Sequence, residues 1–203
     1  SLNRQLLEKL GATTKVTYTY DSGADGIGRL TGTTTDELTQ TNTYNALGGI
    51  KSEIKIINAT TYTTSYDYDR LGNQILITNP DNSQVKYNYN SAGLLESIGR
   101  KEASDAVYTY VVTNYDYAPT EQPTVINYAN GSITTNTYDP AKLYRLTNKV
   151  TTTSLPLRAQ DLTYTYDAVG NIMKIIDASE TETAKTADYV YDDLYRLISA
   201  TIT

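Results

Sequence analysis

The chain writes one short phrase eight times, and that recurrence limits what it can fold into more than any other feature. The phrase is Tyr-x-Tyr-Asp. It stands as Tyr18-Thr19-Tyr20-Asp21, Tyr66-Asp67-Tyr68-Asp69, Tyr87-Asn88-Tyr89-Asn90, Tyr164-Thr165-Tyr166-Asp167 and Tyr189-Val190-Tyr191-Asp192. Looser copies are Thr43-Tyr44-Asn45, Tyr115-Asp116-Tyr117-Ala118 and Thr137-Tyr138-Asp139. The second tyrosines fall at 20, 44, 68, 89, 117, 138, 166 and 191, with gaps of 24, 24, 21, 28, 21, 28 and 25 residues. A period in this range marks an array of supersecondary units, each needing its neighbours to bury a face.

A second phrase follows each tyrosine pair. Three residues after the acid stands Gly or Tyr, then a polar residue, then Leu, Ile or another strand former, as in Asp69 to Gly72-Asn73, Asn90 to Gly93, Asp167 to Gly170-Asn171-Ile172 and Asp192 to Tyr195-Arg196-Leu197. Two copies carry insertions, Asp21 to Gly28-Arg29-Leu30 and Asp139 to Tyr144-Arg145-Leu146.

The physics of one unit follows directly. Alternate residues of a strand share a face, so Val16, Tyr18 and Tyr20 lie together, as do Val85, Tyr87 and Tyr89, and Leu162, Tyr164 and Tyr166. Asp or Asn then ends the strand, since its short side chain can accept a backbone N–H two residues on. Gly supplies the positive φ that other residues avoid. The chain returns as an apolar strand such as Ile75-Leu76-Ile77 or Ile172 to Ile176. This predicts one β-hairpin per copy. The connections back carry their own signals: Asn79-Pro80-Asp81-Asn82-Ser83 reads as a turn, and Asn130-Gly131 between alternating residues as a tight hairpin. The stretch 177–186 is acidic and polar and reads as a longer loop, and Leu155-Pro156-Leu157 interrupts another return.

Two places strain the scheme. The opening "SLNRQLLEKLG" has the local pattern of a short helix, but Asn3-Arg4-Gln5 precedes "TTKVTYTY" as Gly72-Asn73-Gln74 precedes "SQVKYNY". The repeat register therefore predicts a strand, and so short a helix would be marginal alone. Copy five has Ala118-Pro119 where the acid and turn belong, which predicts an irregular hairpin.

Composition supports a thin-cored sheet. Apolar residues are 39% of the 203, and every aromatic residue is one of 20 tyrosines, with no Phe or Trp. Tyrosine suits a pleated, half-wet surface, with a buried ring and a hydroxyl near a partner. The net charge of −6, with basic residues scattered, argues against nucleic acid and anionic membrane surfaces. No apolar run approaches the roughly 18 residues of a membrane-spanning helix. Absence of Cys removes thiol chemistry and zinc thiolates, and absence of His removes the commonest general base. No catalytic, cofactor or metal residue is assigned, and the chain reads as a non-enzyme. Asp67 and Asp69 share a face, but the acids suit turn capping better than calcium, because Asp21 to Gly26 lacks a third ligand and a bidentate Glu. Adjacent Asp192 and Asp193 point to opposite faces of a strand, which argues against a paired-carboxylate site.

The alternating Tyr-x-Tyr-Asp and Gly/Tyr-Arg/Asn-Leu/Ile phrases resemble the YD repeats of the RHS-repeat family, which includes bacterial toxin shells, the shell component of insecticidal toxin complexes, and teneurins. "YDDLYRL" and "YDPAKLYRL" are similar to the toxin-complex form. The resemblance covers essentially the whole chain. It implies an all-β fold in which tandem antiparallel hairpins form one curved, spiralling sheet, with residues 1–203 as a single array of about eight hairpins cut from a larger shell. The repeat signature residues, expected to be structural, are Tyr18, Tyr20, Asp21, Tyr44, Tyr66, Tyr68, Asp69, Gly72, Tyr87, Tyr89, Gly93, Tyr138, Asp139, Tyr164, Tyr166, Asp167, Gly170, Tyr189, Tyr191 and Asp192. The family's self-cleaving region is not recognisable here, and Asp139-Pro140 is a repeat acid before Pro.

The implied function is wall-building around a toxin in a secreted or cell-surface bacterial protein, with neighbouring repeats and the enclosed polypeptide as partners. The alternative is an extracellular adhesion module whose tyrosines bind glycans or proteins. A lone segment would also carry sheet edges open to edge-strand oligomers.

Overall fold

The computed structural model describes residues 3–155, 157–180 and 183–203. In it, every copy of the tyrosine phrase closes a strand. The chain divides into two units, Ser1–Gly93 with Ile98–Thr109, and Leu94–Ser97 with Tyr110–Thr203.

The first unit holds β1 (Leu7–Leu10), β2 (Thr13–Tyr20), β3 (Leu30–Thr34), β4 (Leu38–Tyr44), β5 (Ile50–Ile57), β6 (Thr60–Tyr68), β7 (Gln74–Thr78) and β8 (Gln84–Tyr89). Strand β9 (Leu95–Lys101) contributes residues to both units. The second unit continues with β10 (Thr109–Tyr117), β11 (Pro123–Tyr128), β12 (Ile133–Asp139), a 3-10 turn at Pro140–Lys142, β13 (Arg145–Thr152), β14 (Arg158–Tyr166), β15 (Ile172–Asp177), β16 (Lys185–Tyr191) and β17 (Leu197–Ile202). The fold is all-β: an open antiparallel sheet, built from consecutive hairpins, and no α-helix among the described residues. The even-numbered strands carry the tyrosine phrase at their ends, and the odd-numbered strands run back. Each pairs with its chain neighbours, as β2 with β3 and β3 with β4, or β13 with β14 and β14 with β15.

The opening segment is strand, as the repeat register requires. β1 pairs with β2, placing Leu7 opposite Thr17, and Tyr18 N–H donates to Leu6 C=O at 2.8 Å. The strand begins at Leu7, and Leu6, Leu7 and Leu10 are exposed.

The hairpin register is constant. Tyr20 sits opposite Leu30, Tyr44 opposite Ile50, Tyr68 opposite Gln74, Tyr117 opposite Pro123, Tyr138 opposite Leu146, Tyr166 opposite Ile172 and Tyr191 opposite Leu197. In each of these hairpins the register slips just before the tyrosine, for example between Thr19 and Tyr20 and between Val190 and Tyr191. A bulge at that point bends the strand and re-aims one side chain. Here that side chain is the tyrosine.

Copy five departs from expectation. Ala118 replaces the acid, yet Ala118 N–H still donates to Gln122 C=O and Glu121 N–H to Ala118 C=O, both at 2.9 Å. Its turn is therefore regular, and the irregularity lies earlier, between Val112 and Asn114. Both predicted returns form. Asn79 N–H meets Ser83 C=O at 2.9 Å with Asn82 at φ 64°, and Tyr128 N–H meets Ser132 C=O at 3.0 Å with Gly131 at φ 83°. Pro156 lies outside the described residues, as do Thr181 and Glu182 of the predicted loop.

The interior is thin. Val112 is the one buried apolar side chain among the described residues, beside the buried polar Thr31, Asn42, Ser97, Thr134 and Asp161. A deep core needs two packed layers. Half-buried tyrosines, with a wet end and an apolar body, suit a chain whose strands gain most of their order from their neighbours.

Candidate functional site: a tyrosine–carbonyl ladder

The second tyrosine of every copy does the same thing: its hydroxyl donates to a backbone carbonyl. Tyr20 reaches Gln5 (3.0 Å), Tyr44 reaches Leu30 (2.5 Å), Tyr68 reaches Ile50 (2.9 Å) and Tyr89 reaches Gln74 (3.0 Å). Tyr117 reaches Leu95 (2.6 Å), Tyr138 reaches Pro123 (3.1 Å), Tyr166 reaches Leu146 (2.6 Å) and Tyr191 reaches Ile172 (3.0 Å). The acceptors form a series. Leu30, Ile50, Pro123, Leu146 and Ile172 are the residues opposite Tyr20, Tyr44, Tyr117, Tyr138 and Tyr166. Gln74, opposite Tyr68, likewise accepts from Tyr89, so Tyr44, Tyr68, Tyr89, Tyr138, Tyr166 and Tyr191 each bond the residue that faces the tyrosine before it, and one hairpin is tied to the next by a side chain as well as by its strand edge.

Partial burial raises the hydroxyl pKa of Tyr68, Tyr89, Tyr117, Tyr138 and Tyr166, which keeps them protonated donors over a wide pH range. The first tyrosines, Tyr18, Tyr66, Tyr87, Tyr164 and Tyr189, are half-buried on the same strand face, because alternate residues share it. Tyr115 and Tyr117 stack with ring centroids 6.1 Å apart.

The acids close the turns. Asp69 Oδ1 accepts N–H groups from Leu71 (2.8 Å) and Asn73 (2.9 Å), and Oδ2 accepts the Asn73 amide (2.9 Å). Asp167 Oδ1 takes Val169, Gly170 and Asn171, and its Oδ2 takes the Asn171 amide. Asp192 Oδ1 takes Leu194 and Arg196 N–H. Asn90 holds Ala92 N–H, and Asp139 holds Ala141 N–H.

These bonds shift the acids. The Asn73 amide, with backbone donors behind it, holds Asp69 below the usual carboxylate range. At Asp167 partial burial pushes upward, but the Asn171 amide and three backbone donors together outweigh it. At Asp192 the Arg196 N–H leads the downward shift. Asp21 is pulled down to about 2, first by the Arg4 side chain and then by Gly28 N–H. With its carboxylate committed to turn donors, Asp69 has little left for a cation beside exposed Asp67.

Three residues after the acid, Gly48, Gly72, Gly93 and Gly170 all have positive φ. Tyr195 occupies the same place at φ 60°, and Tyr144 ends the longer turn at φ 55°, so these tyrosines accept the left-handed conformation that glycine takes elsewhere.

In three joints an arginine stands just before the acceptor and completes the contact, and sequence reading did not single it out as a site. Arg4 lies 4.7 Å over the Tyr20 ring, Arg29 lies 5.4 Å over Tyr44, and Arg145 lies 5.7 Å over Tyr166. Each guanidinium reaches forward to the tyrosine of the next copy. Arg4 also grips Asp21 with both terminal nitrogens, and Arg145 Nη1 donates to Asp167 C=O at 3.1 Å. Gly170 suits its φ of 113°, and a Cβ there would stand 2.8 Å from Arg145 Nη2, so the guanidinium would have to shift. The visible signal was the Arg-Leu of "GRL" and "YRL", whose forward reach no sequence pattern states.

The geometry defines a repeat array, in which a unit carries the donor for the unit before it and the acceptor for the unit after it. No family model matches the chain. It is 27% identical over 161 residues to a toxin subunit, YenC1, of Yersinia entomophaga, a match covering 72% of this chain and 16% of that protein. The fold recurs in the crystal structures of TcdB2-TccC3 and of TcdB2-TccC3-Cdc42, each with a TM-score of 0.77 and 20% identity over 92% of this chain, and 11% and 10% of those chains respectively. It recurs again in the Photorhabdus luminescens Tc holotoxin pore, with a TM-score of 0.76 at 20% identity over 92% of this chain and 10% of that one. The chain thus spans a small part of each protein it matches.

Proposed function

We propose that this chain is a YD-repeat segment of an RHS-type shell, and that it forms part of the wall enclosing a toxin polypeptide. Its work is enclosure, without catalysis. Its partners are the neighbouring repeats of the shell and the enclosed chain, and its setting is a secreted or cell-surface bacterial protein. The observation that carries the reading is the eight-rung tyrosine ladder, found in a chain whose sequence likeness runs to a toxin subunit. A ladder in which every rung is made between successive hairpins specifies continued growth of one sheet, which is what a wall requires.

The test is a graft. The chain replaces the matching segment of the Yersinia entomophaga toxin subunit, and a passenger polypeptide fused within that subunit is challenged with protease. A well-folded chimera whose passenger survives as in the parent supports the wall. A well-folded chimera whose passenger is digested overturns it.

A second reading, an adhesion or glycan-binding module, draws on one feature. A shallow groove of about 420 Å³ near the second and third turns is lined by Tyr44, Leu47, Lys51, Tyr66 and Asp67. Tyrosine rings in an open groove can stack on sugars. Binding on a glycan array that disappears in Tyr66→Ala would favour this reading over the wall.

A further inference from the structure

Successive turns that follow the tyrosine phrase leave a groove between them, and the groove is built the same way each time. In the second unit a groove of about 400 Å³ lies between the turns at Asp139 and Asp167, lined by Leu143 of the earlier turn and by Tyr166 and Asp167 of the later copy. The next, of about 340 Å³, lies between the turns at Asp167 and Asp192, where Met173 and Val190 meet Tyr191 and Asp192. Asp167 borders both, so the two grooves form a row. In the first unit Tyr68 and Asp69 line a groove with Leu47 of the earlier turn. A ladder tyrosine and its acid thus recur in the wall of each of these three gaps.

The row in the second unit is open, apolar and charged differently at its two ends. Leu143 is 83% exposed, and Tyr195, in the second groove, is 61% exposed. The first groove carries Lys142 and Arg145. Arg145 is held by Asp167 C=O, which leaves Lys142, 63% exposed and a loose 3.6 Å from Asp139, as the cation within reach. The second groove carries the exposed Asp193 and no cation among the described residues. Spacing selects the occupant. Turns on one rim follow each other at two strand separations, about 9.6 Å. A ligand seated in successive grooves must show the same face again after that distance. A polyproline II helix, with three residues per turn and a rise of about 3.1 Å, does so after about 9.3 Å. An extended strand returns a face at every second residue, about 6.7 Å, and points away at the third. An α-helix needs seven residues and about 10.5 Å, by which point its face has drifted about 20°. Aromatic-lined grooves are also where proline-rich segments dock.

We propose that the groove row of the second unit binds a proline-rich polypeptide segment in the polyproline II conformation, with a proline or aliphatic side chain at every third position seated between successive turns. The acidic end of the segment lies at Lys142 and its basic end at Asp193. With no internal hydrogen bonds to break, such a segment bends to follow the twist of the sheet. The ladder supplies the rigid walls, because Tyr166 and Tyr191 are tied to Leu146 and Ile172 before any ligand arrives.

The probe is a labelled peptide of repeated Pro-Pro-Leu with Glu at one end and Arg at the other, titrated into the 203-residue chain. Anisotropy reads affinity and amide hydrogen exchange reads location. The expected result is saturable binding, with new protection at residues 139–145, 167–173 and 190–196. A control of the same composition with its leucines grouped together should bind about ten-fold more weakly. Two substitutions in the chain suit the left-handed backbone they replace, so folding is kept: Leu143→Asn at φ 58° and Tyr195→Gly at φ 60°. Each should weaken binding about ten-fold, the loss of one partly buried side chain, with circular dichroism unchanged. Asp193→Asn should cost about three-fold, as one exposed charge pair does. Absence of saturable binding overturns the proposal. So does equal binding of the control, indifference to both groove variants, or protection along a strand edge instead of the turns. The graft experiment reads passenger protection and not these turns, so either result can fail while the other stands.

Discussion

Two turns of the array, one in each unit, have the same backbone and different chemistry. In the first, Asp69 N–H bonds Asn73 C=O at 2.9 Å and Gly72 N–H bonds Asp69 C=O at 3.2 Å. In the second, Ala118 and Glu121 make the same two bonds with Gln122 and Ala118. The first has a carboxylate holding Leu71 and Asn73 and a glycine at φ 89°. The second has a methyl group and a glutamate at φ 65°. Yet the bulge before the tyrosine and the hydroxyl bond to the earlier strand are present in both. The turn is therefore shaped by the ladder and the bulge, and the acid and glycine lower the cost of a conformation set from outside.

That comparison can be pressed hardest at the glycines. Gly170→Ala combines a left-handed backbone with a displaced Arg145, and should lower stability by about 2 kcal/mol in urea unfolding. Gly72→Ala meets nothing within 4 Å and should cost about 1 kcal/mol, from backbone strain alone. Equal losses would remove the guanidinium from the explanation. The reverse change, Glu121→Gly, should stabilise the Ala118 turn by about 1 kcal/mol in the same measurement.

Next come the rungs. Tyr68→Phe and Tyr117→Phe each delete one hydroxyl bond, and each should cost about 1 kcal/mol whether or not the turn beside it has an acid. A much larger loss at Tyr117 would mean that the acid-free turn leans more heavily on its rung. The hydroxyl groups also set an alkaline limit. Their folded pKa values lie above the ordinary value of 10, so their contribution is complete below pH 10 and is lost as pH rises through the raised values. Unfolding monitored by circular dichroism should begin above pH 10.

The smallest effect is acidic and separates the two turns. The Asp69 pKa is depressed from 3.8, so its contribution is complete above that value and is lost as pH falls through the folded value. Below pH 4 the protection of the Leu71 and Asn73 amides, taken against the intrinsic exchange rate at the same pH, should fall, while that of Glu121 and Gln122 holds. An equal loss of protection at both turns would show that the carboxylate is not the cause.

The hairpins could be read from the sequence because their causes are local: alternation along a strand, then Asp or Asn, then Gly. The ladder could be read only by half. Its donors are tyrosines, but its acceptors are the backbone carbonyls of Gln5, Leu30, Ile50, Gln74, Leu95, Pro123, Leu146 and Ile172, which share no side-chain type. A carbonyl leaves no mark in a sequence. At Tyr144 and Tyr195 the turn was legible but its positive φ was not, since tyrosine avoids that conformation unless surrounding structure imposes it. Ala118 concealed a regular turn because the sequence showed the missing acid and not the bulge.

The most direct measurement is the carbonyl carbon chemical shift of Leu146 in isotope-labelled protein, compared between the parent chain and Tyr166→Phe. The ladder predicts a change at Leu146, the residue opposite Tyr138, as its hydroxyl donor disappears, with Ile172 opposite Tyr166 nearly unmoved. An unchanged Leu146 carbonyl in a folded variant would contradict it.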